Sequence, residues 1–350
     1  MPSRGSILVI MNRFQGYETL IPDALRDIGF DAAWVDARPS NGMFVKILIR
    51  LGVWQWIRPL SRLNVKRILS MARGQSPDTL VLISPENLGA EEMQQLRAGL
   101  PGVRIVLYLW DSSANRSLEQ SMIDAADAAF SFDLDDSRSY KNLTYLALFH
   151  SHERFYPARP QKQAARFDFW FVGTARLRRV RLLSRISRLT TSKGGSCFFH
   201  LSAPSILQLV FFRLCAVLVG FSGVISRHGI SKEQYLKTLN DAGCVIDVEQ
   251  RHQNGLTMRT MEAVFAGSPL ATSNRSIVET ELYHHFPITV FSERDLAISV
   301  PQPRQTSESE VLFHRYHVNA WLENLLQDRD VQAAVVDAPT DASTAESQAK

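Results

Sequence analysis

The sequence predicts an α/β protein of two units, each a parallel β-sheet covered by helices on both faces. Three observations predict it. Short, nearly continuous apolar runs alternate with longer segments of helical period, the pattern of strands buried on both sides. The alternation occurs twice, before and after a polar stretch that carries Pro157 and Pro160. A chain of 350 residues is also long enough for two cores of roughly 100–150 residues each.

In the first half, strands are expected at 7–11, 31–35, 79–83, 103–109, 128–132 and 143–148. Helices are expected between them at 17–28, 43–72, 90–98, 115–125 and 136–141. The run 7–11 is too short for a signal-peptide core and fits a first buried strand. Residues 1–150 form the expected first domain, a Rossmann-like unit. The segment 151–166 is the expected linker, since its prolines and polar residues suit neither period.

The second half repeats the pattern. Strands are expected at 167–172, 197–201, 223–226, 244–247 and 269–273, with helices at 176–190, 204–219, 231–241 and 256–266. This second Rossmann-like domain spans 167–300. Residues 206–225 are the most apolar window of the chain. Gln208, Arg213, Gly220 and Gly223 interrupt or follow it, so a buried helix running into a strand is expected rather than a membrane span. Val311, Leu312, Tyr316, Val318, Trp321, Leu322, Leu325 and Leu326 predict an amphipathic terminal helix within 309–327. From 328 to 350 large apolar residues almost vanish, which predicts a disordered tail.

The hydrophobic content of 45%, charged content of 21% and net charge of +4 are those of an ordinary globular protein. Cys197, Cys215 and Cys244 have no metal-ligand or disulfide spacing. They predict small apolar core residues in a reducing, cytoplasmic setting.

The residues that carry most chemistry are Asn254-Gly-Leu-Thr-Met-Arg259-Thr-Met-Glu262-Ala-Val-Phe-Ala-Gly267-Ser-Pro269. Gly255 allows a tight turn and close backbone approach to a ligand. Thr257 is placed to cap the following helix, whose free N–H groups attract phosphate. Arg259 and Glu262, three residues apart, share one helix face. A cation for phosphate beside a carboxylate for sugar hydroxyls suits a nucleotide or nucleotide-sugar.

This stretch resembles the donor-binding segment of GT-B glycosyltransferases, which ends in Glu-Ala-x-x-x-Gly-x-Pro. More narrowly, 255–262 is similar to bacterial proteins of the spore-maturation group, whose relatives serve lipopolysaccharide and capsule synthesis. The resemblance implies two Rossmann-like domains facing across a cleft, with the active site in that cleft. It implies that Glu262 holds the donor ribose, while Asn254 stands where many such enzymes have a sugar-contacting glutamate. Residues 150–157 are similar to the family's hinge, and the terminal helix is expected to cross back to the first domain. The implied donor set is Gly173, Thr174, Arg176, Asn254, Gly255, Leu256, Thr257, Arg259 and Glu262. In it, Gly173-Thr174 forms the turn facing the diphosphate and Arg176 is first choice among Arg176, Arg178, Arg179 and Arg181. The competing reading of those arginines is a solvated helix face. Arg259 and Arg176 would stabilise the charge that grows on the leaving diphosphate. No cofactor is implied, and no metal is required.

Asp111, at the end of the strand 103–109, is the candidate base toward an acceptor hydroxyl; helix capping by Asp111 or Ser112 is the alternative. Asp133-x-Asp135 matches a metal-binding pattern of another glycosyltransferase class, with capping again the competing reading. His150-Ser-His152 has ligand spacing but only one further ligand close by. Residues 43–73 join Lys46, Arg50, Arg58, Arg62, Lys66, Arg67 and Arg73 to Trp54, Trp56 and many aliphatics, without a single acidic residue. An anionic membrane surface is the expected partner of such a segment, with Pro59 splitting it into two helices. Two helices covering the first sheet are the alternative, and no nucleic-acid motif accompanies the charge.

The expected function is transfer of a sugar from a nucleotide-activated donor to a cell-envelope glycan or lipid-linked acceptor, at the inner face of the membrane. A non-catalytic nucleotide-sugar-binding protein of the same fold is the second reading, and it rests on Asn254. A dinucleotide oxidoreductase is excluded, because neither Asn12-Arg-Phe-Gln-Gly16 nor Gly173-Thr-Ala-Arg176 supplies Gly-x-Gly-x-x-Gly.

Overall fold

The computed structural model describes residues 3–38, 54–85, 88–113, 120–155, 165–249, 254–296, 298–301 and 306–327, and of residues 54–60 and 232 the backbone. The basic positions Lys46 and Arg50, the expected tail 328–350 and most of the expected linker lie outside the described residues. The chain divides into one unit of residues 1–146 plus 318–350, and a second of residues 147–317.

The first unit opens with β1 (Ser6–Met11), α1 (Tyr17–Asp27), β2 (Asp31–Asp36), α2 (Trp54–Gln75), β3 (Thr79–Ile83) and α3 (Ala90–Gly99). It continues with β4 (Arg104–Leu109), α4 (Gln120–Asp124), β5 (Ala128–Ser131), α5 (Leu134–Ser139) and β6 (Thr144–Tyr145). The sheet order is β2-β1-β3-β4-β5-β6, and every pairing is parallel. Ile7 to Met11 and Leu80 to Ile83 are almost wholly buried. Burial on both faces explains why these strands read as unbroken apolar runs rather than alternating ones. One face of the sheet is closed by Val65, Ile68 and Ala72 of α2 with Met93 and Leu96 of α3.

Pro59 does not split the basic segment. The backbone of α2 runs through it, because a proline removes one ladder hydrogen bond while the rest of a long helix continues. The helix α1 likewise contains Pro22. Asp133 caps α5 by accepting the Asp135 N–H at 3.0 Å, which is the capping role and not a metal ligand's.

The second unit contains β7 (Phe169–Thr174), α6 (Leu177–Thr191), β8 (Cys197–Ser202), α7 (Ile206–Val219), β9 (Val224–Ser226) and α8 (Lys232–Asn240). After these come β10 (Val245–Asp247), α9 (Met258–Phe265), β11 (Leu270–Thr272), a 3₁₀ turn (Arg275–Glu279), α10 (Glu281–His285), β12 (Ile288–Val290) and α11 (Glu308–Arg315). The strand β12 and the elements at 275–285 have no counterpart in the sequence reading. Three residues, Ile288-Thr-Val290, are too few to show a period. The sheet order is β12-β11-β10-β7-β8-β9, again parallel throughout. The chain builds outward from β7 to β9 and then returns to the other side of β7 with β10. The order therefore reverses between β7 and β10, and in open α/β sheets ligands bind beyond the carboxyl ends of the strands at such a reversal.

Residues 206–219 form the expected helix, but it is not buried. Ser205 caps it by accepting the Gln208 N–H, and Gly220 ends it in the left-handed region at φ 64°. Leu209, Phe212, Ala216 and Val219 pack inward on the core of the second unit. The opposite stripe is exposed, with Leu207, Val217 and Leu218 at 83%, 80% and 85%.

The expected single terminal helix is two helices. The helix α11 ends at Arg315 with Tyr316 as its C-cap, and α12 (Val318–Leu326) follows it in the first unit. Trp321 meets Tyr108 edge-on at 4.8 Å, and Arg104 donates to the Leu326 and Gln327 carbonyls at 2.6 and 2.8 Å. A guanidinium on the last carbonyls satisfies acceptors that a helix end leaves bare.

Candidate functional site

The carboxyl ends of β7 and β10 meet the amino end of α9 at the reversal of the second sheet. The polar centre of this junction is Asp247, the last residue of β10 and wholly buried. A buried carboxylate is stable only when donors surround it. Asp247 has four. Its Oδ1 accepts from the Thr257 hydroxyl and from Arg259 Nη1, both at 3.1 Å. Its Oδ2 accepts from the Thr260 hydroxyl at 3.1 Å and the Thr272 hydroxyl at 3.2 Å. Thr257 is the N-cap of α9, as the sequence predicts, accepting the Thr260 N–H at 3.2 Å.

Arg259 is turned inward. Its Nη2 donates to the Val172 carbonyl at 2.6 Å, and its guanidinium lies 4.4 Å from the centre of the Phe171 ring. Its charge is therefore spent on Asp247 and on locking β7 to α9, where the sequence reading aimed it at a diphosphate. The signal for Asp247 was present as a polar residue closing an apolar strand, but a partner twelve residues away across a turn cannot be read from spacing.

Gly173 is required where it stands. A Cβ there would lie 2.8 Å from Arg259 Nη2 and 3.1 Å from the Phe171 ring. Beyond it, Thr174 is exposed and Arg176 is the exposed N-cap of α6, with no side-chain cap on that helix. The N–H groups of its first turn are thus open to water or to an anion. Arg179, which the sequence grouped with its neighbours, is buried instead. It donates to the Val248 and Thr174 carbonyls at 2.9 and 3.3 Å. Burial, with the nearby charge of Arg259, pushes its guanidinium down to about 9. Arg178 pairs with Glu293 at 2.5 Å and with Glu249 at 3.8 Å. Burial still holds the Glu249 carboxyl up at about 7.

The turn before α9 is pinned by Asn274, a residue the sequence reading missed. Its Nδ2 donates to the carbonyls of Asn254 and Gly255 at 3.2 and 3.3 Å. Asn254 is exposed, while Gly255 and Leu256 are buried. One turn into α9, Glu262 receives the Tyr235 hydroxyl of α8 on Oε2 at 2.5 Å. Burial and then the Glu262 charge push the Tyr235 phenol well above its ordinary range, so it stays a donor. The phenol fixes the orientation of the carboxylate, an acceptor-only group.

His152 ties the start of this unit to the same helix through a 2.9 Å contact of Nε2 with the Glu262 carbonyl. His150 is fully buried against Phe265 and Phe313, with ring centres 4.2 and 4.5 Å away. These two residues belong to a packed core, not to a metal site. No group of three or more His, Cys, Asp or Glu able to hold a metal occurs among the described residues. In the first unit, Asp111 is exposed beyond β4, and the adjoining Ser113 donates to Asp136 through both its N–H and its hydroxyl.

No family model matches the chain, and no curated protein matches it in sequence. Solved structures match its fold. The apo structure of OtsA superimposes with a TM-score of 0.55 at 10% identity, covering 92% of this chain and 99% of that one. An α,α-trehalose-phosphate synthase (UDP-forming) from Burkholderia xenovorans, in complex with glucose-6-phosphate, gives 0.55 at 11% identity, covering 93% and 100%. The fold is thus of the GT-B class, with two six-stranded parallel sheets. The spore-maturation group is not among these likenesses.

Proposed function

We propose that the chain is a glycosyltransferase that moves a sugar from a nucleotide-activated donor to a glycan or lipid-linked acceptor of the cell envelope. The observation that carries this reading is the carboxylate of Glu262. It is oriented by a half-buried phenol, one turn from a helix end and beside the strand reversal where α/β sheets bind nucleotides.

In this reading Glu262 accepts the two ribose hydroxyls. The turn Gly173-Thr174 and the uncapped first turn of α6 receive the diphosphate, with Arg176 as the exposed cation beside them. As the glycosidic bond breaks, negative charge grows on the departing diphosphate oxygen. Fixed N–H groups and Arg176 oppose that charge without reorganising, and the loss of one such donor typically costs about 10²–10³ in rate. Arg259 acts indirectly, by holding Val172, Gly173 and α9 in register. Asp111 of the first unit is the proposed base that takes the proton of the acceptor hydroxyl. The UDP-forming synthase that shares the fold makes uridine nucleotides the first donors to test.

The test is a thermal-shift titration with UDP, GDP and their sugars, on wild type, Glu262→Ala and Tyr235→Phe. A ligand at a hundredfold over its Kd adds about 2.7 kcal/mol of stability. Wild type should respond to at least one nucleotide, Glu262→Ala should lose the response, and Tyr235→Phe should weaken it by about tenfold, the size of one charge-assisted hydrogen bond. A response that survives Glu262→Ala unchanged overturns the site assignment. Tight binding with no glycosyl transfer to any envelope glycan favours the non-catalytic reading that Asn254 supports.

A further inference from the structure

The exposed face of α7 is the feature that the proposed site does not use. Ile206, Leu207, Val210, Phe211, Leu214, Val217 and Leu218 are 52–85% exposed. At about 100° per residue they fall on one stripe, opposite the inward stripe of Leu209, Phe212, Ala216 and Val219. Val224, just after the helix, is 55% exposed. Surface helices of globular proteins carry polar residues on the outward stripe, and a contiguous apolar patch of this kind marks an interaction surface.

The charge around the patch says what covers it. Residues 169–232 contain ten Lys and Arg and not one Asp or Glu. Several of these cations are placed at the edge of the stripe. The Ser184 hydroxyl of α6 donates to the Val219 carbonyl of α7 and fixes the seam between the two helices. Arg188, four residues on, is on the same face of α6 and is exposed. Arg213 of α7 grips the Ile225 carbonyl at 3.1 and 3.2 Å, which brings exposed Arg227 to the other end. A second copy of this chain would bring the same cations against themselves. A bilayer with anionic headgroups would accept both the apolar stripe and its basic margin. At 14 residues the helix is about 21 Å long, short of the roughly 30 Å hydrocarbon core. No helix of the described residues is long and apolar enough to cross a membrane.

We infer that α7 lies in the interface of an anionic membrane, its outward stripe inserted among the acyl chains and its flanking arginines on the headgroups. The second unit thereby acquires a membrane contact of its own, distinct from residues 43–73. The inference rests on surface chemistry and not on the nucleotide site, and its test needs no nucleotide.

The experiment is flotation of the full chain with vesicles of phosphatidylcholine alone, or with about one third phosphatidylglycerol. Wild type should float with the anionic vesicles and not with the neutral ones. The variant Leu207→Ser/Val217→Ser/Leu218→Ser should lose partitioning by about tenfold or more while keeping its melting temperature and oligomeric state. The variant Arg188→Gln/Arg227→Gln, which leaves the stripe intact, should bind less and lose part of its salt dependence. That second variant carries the test if the serine variant fails to fold. Wild type that never floats, or variants that float like wild type, would overturn the inference. So would a wild-type dimer that the serine variant dissociates, since the stripe would then belong to a second copy.

Discussion

Acid should weaken the second unit through His150. Its ring is used at both nitrogens in the neutral form. Nε2 meets the Phe313 carbonyl at 2.7 Å, and so carries the proton, while Nδ1 accepts the His152 N–H at 3.2 Å. A second proton, on Nδ1, would point at that N–H. The ring is fully buried, and the charged or titratable groups that face it among the described residues are His152, His317 and His314. Burial first, and those rings second, push its imidazole down to about 3. The unfolded chain takes this proton near 6.5, so protons favour unfolding, and stability falls as pH drops below 6.5 and continues to fall toward 3. Between pH 7 and pH 5 the linkage amounts to about 2 kcal/mol, or roughly 4–8 °C for a unit of this size. The assay is thermal melting of wild type and His150→Gln at both pH values. The two proteins will differ in absolute stability, so the decisive quantity is the change in their separation. Wild type should lose about 2 kcal/mol more than the variant on acidification. A separation that stays constant would show that the ring is hydrated or already charged, and the reasoning would fail.

Three further outcomes follow from the junction of β7, β10 and α9. Asp247→Asn leaves the half-buried Arg259 charge without its counter-ion and should cost about 3 kcal/mol in urea unfolding; a cost below about 1 kcal/mol would mean that the ion pair is not formed in solution. Gly173→Ala drives a methyl group against a guanidinium fixed at both ends, which should destabilise by about 1–3 kcal/mol and weaken nucleotide binding together; full nucleotide affinity in that variant would remove the turn from the site. Glu249 works against His150. Its folded value of about 7 is raised from 4.5, so its contribution is complete below 4.5 and is lost as pH rises through 7. The side chain is 20% exposed, which limits the effect to no more than about 3 kcal/mol. Glu249→Gln should therefore remove a fall in stability between about pH 4.5 and 7, where it opposes the His150 effect, and leave the curve outside that window unchanged.

The sheets were legible because burial on both faces writes itself into consecutive residues. Runs such as Leu80-Val-Leu-Ile83 admit little else. The candidate site was legible where the chemistry is local, as in the cap at Thr257 and the spacing of Arg259 and Glu262. Contacts that join distant segments were not. Nothing near Tyr235 announces its bond to Glu262, and nothing near Asn274 announces that it pins the glycine turn. Apolar content also fails to say which side of a helix faces solvent. The window 206–225 read as buried because nearly all of its residues, Gln208 and Arg213 apart, are of types that belong in a core, whereas one stripe packs and the other does not. His150 and His152 read as linker residues because their prolines and polar neighbours dominate the pattern, yet aromatic partners from residues 265 and 313 enclose the first of them. The terminal apolar pattern read as one helix because its period carries across Tyr316-His317, where the backbone instead breaks.

The Arg104 clasp on the Leu326 and Gln327 carbonyls has a consequence for biosynthesis. It joins a strand made early to a helix made almost last, with the whole of residues 147–317 translated in between. At about 5–20 residues per second, a ribosome leaves the early strands without their closing helix for roughly ten to thirty-five seconds. During that wait the Tyr108 edge has no Trp321 to cover it, so a nascent chain stalled before residue 318 should be a chaperone client, while the released chain should not.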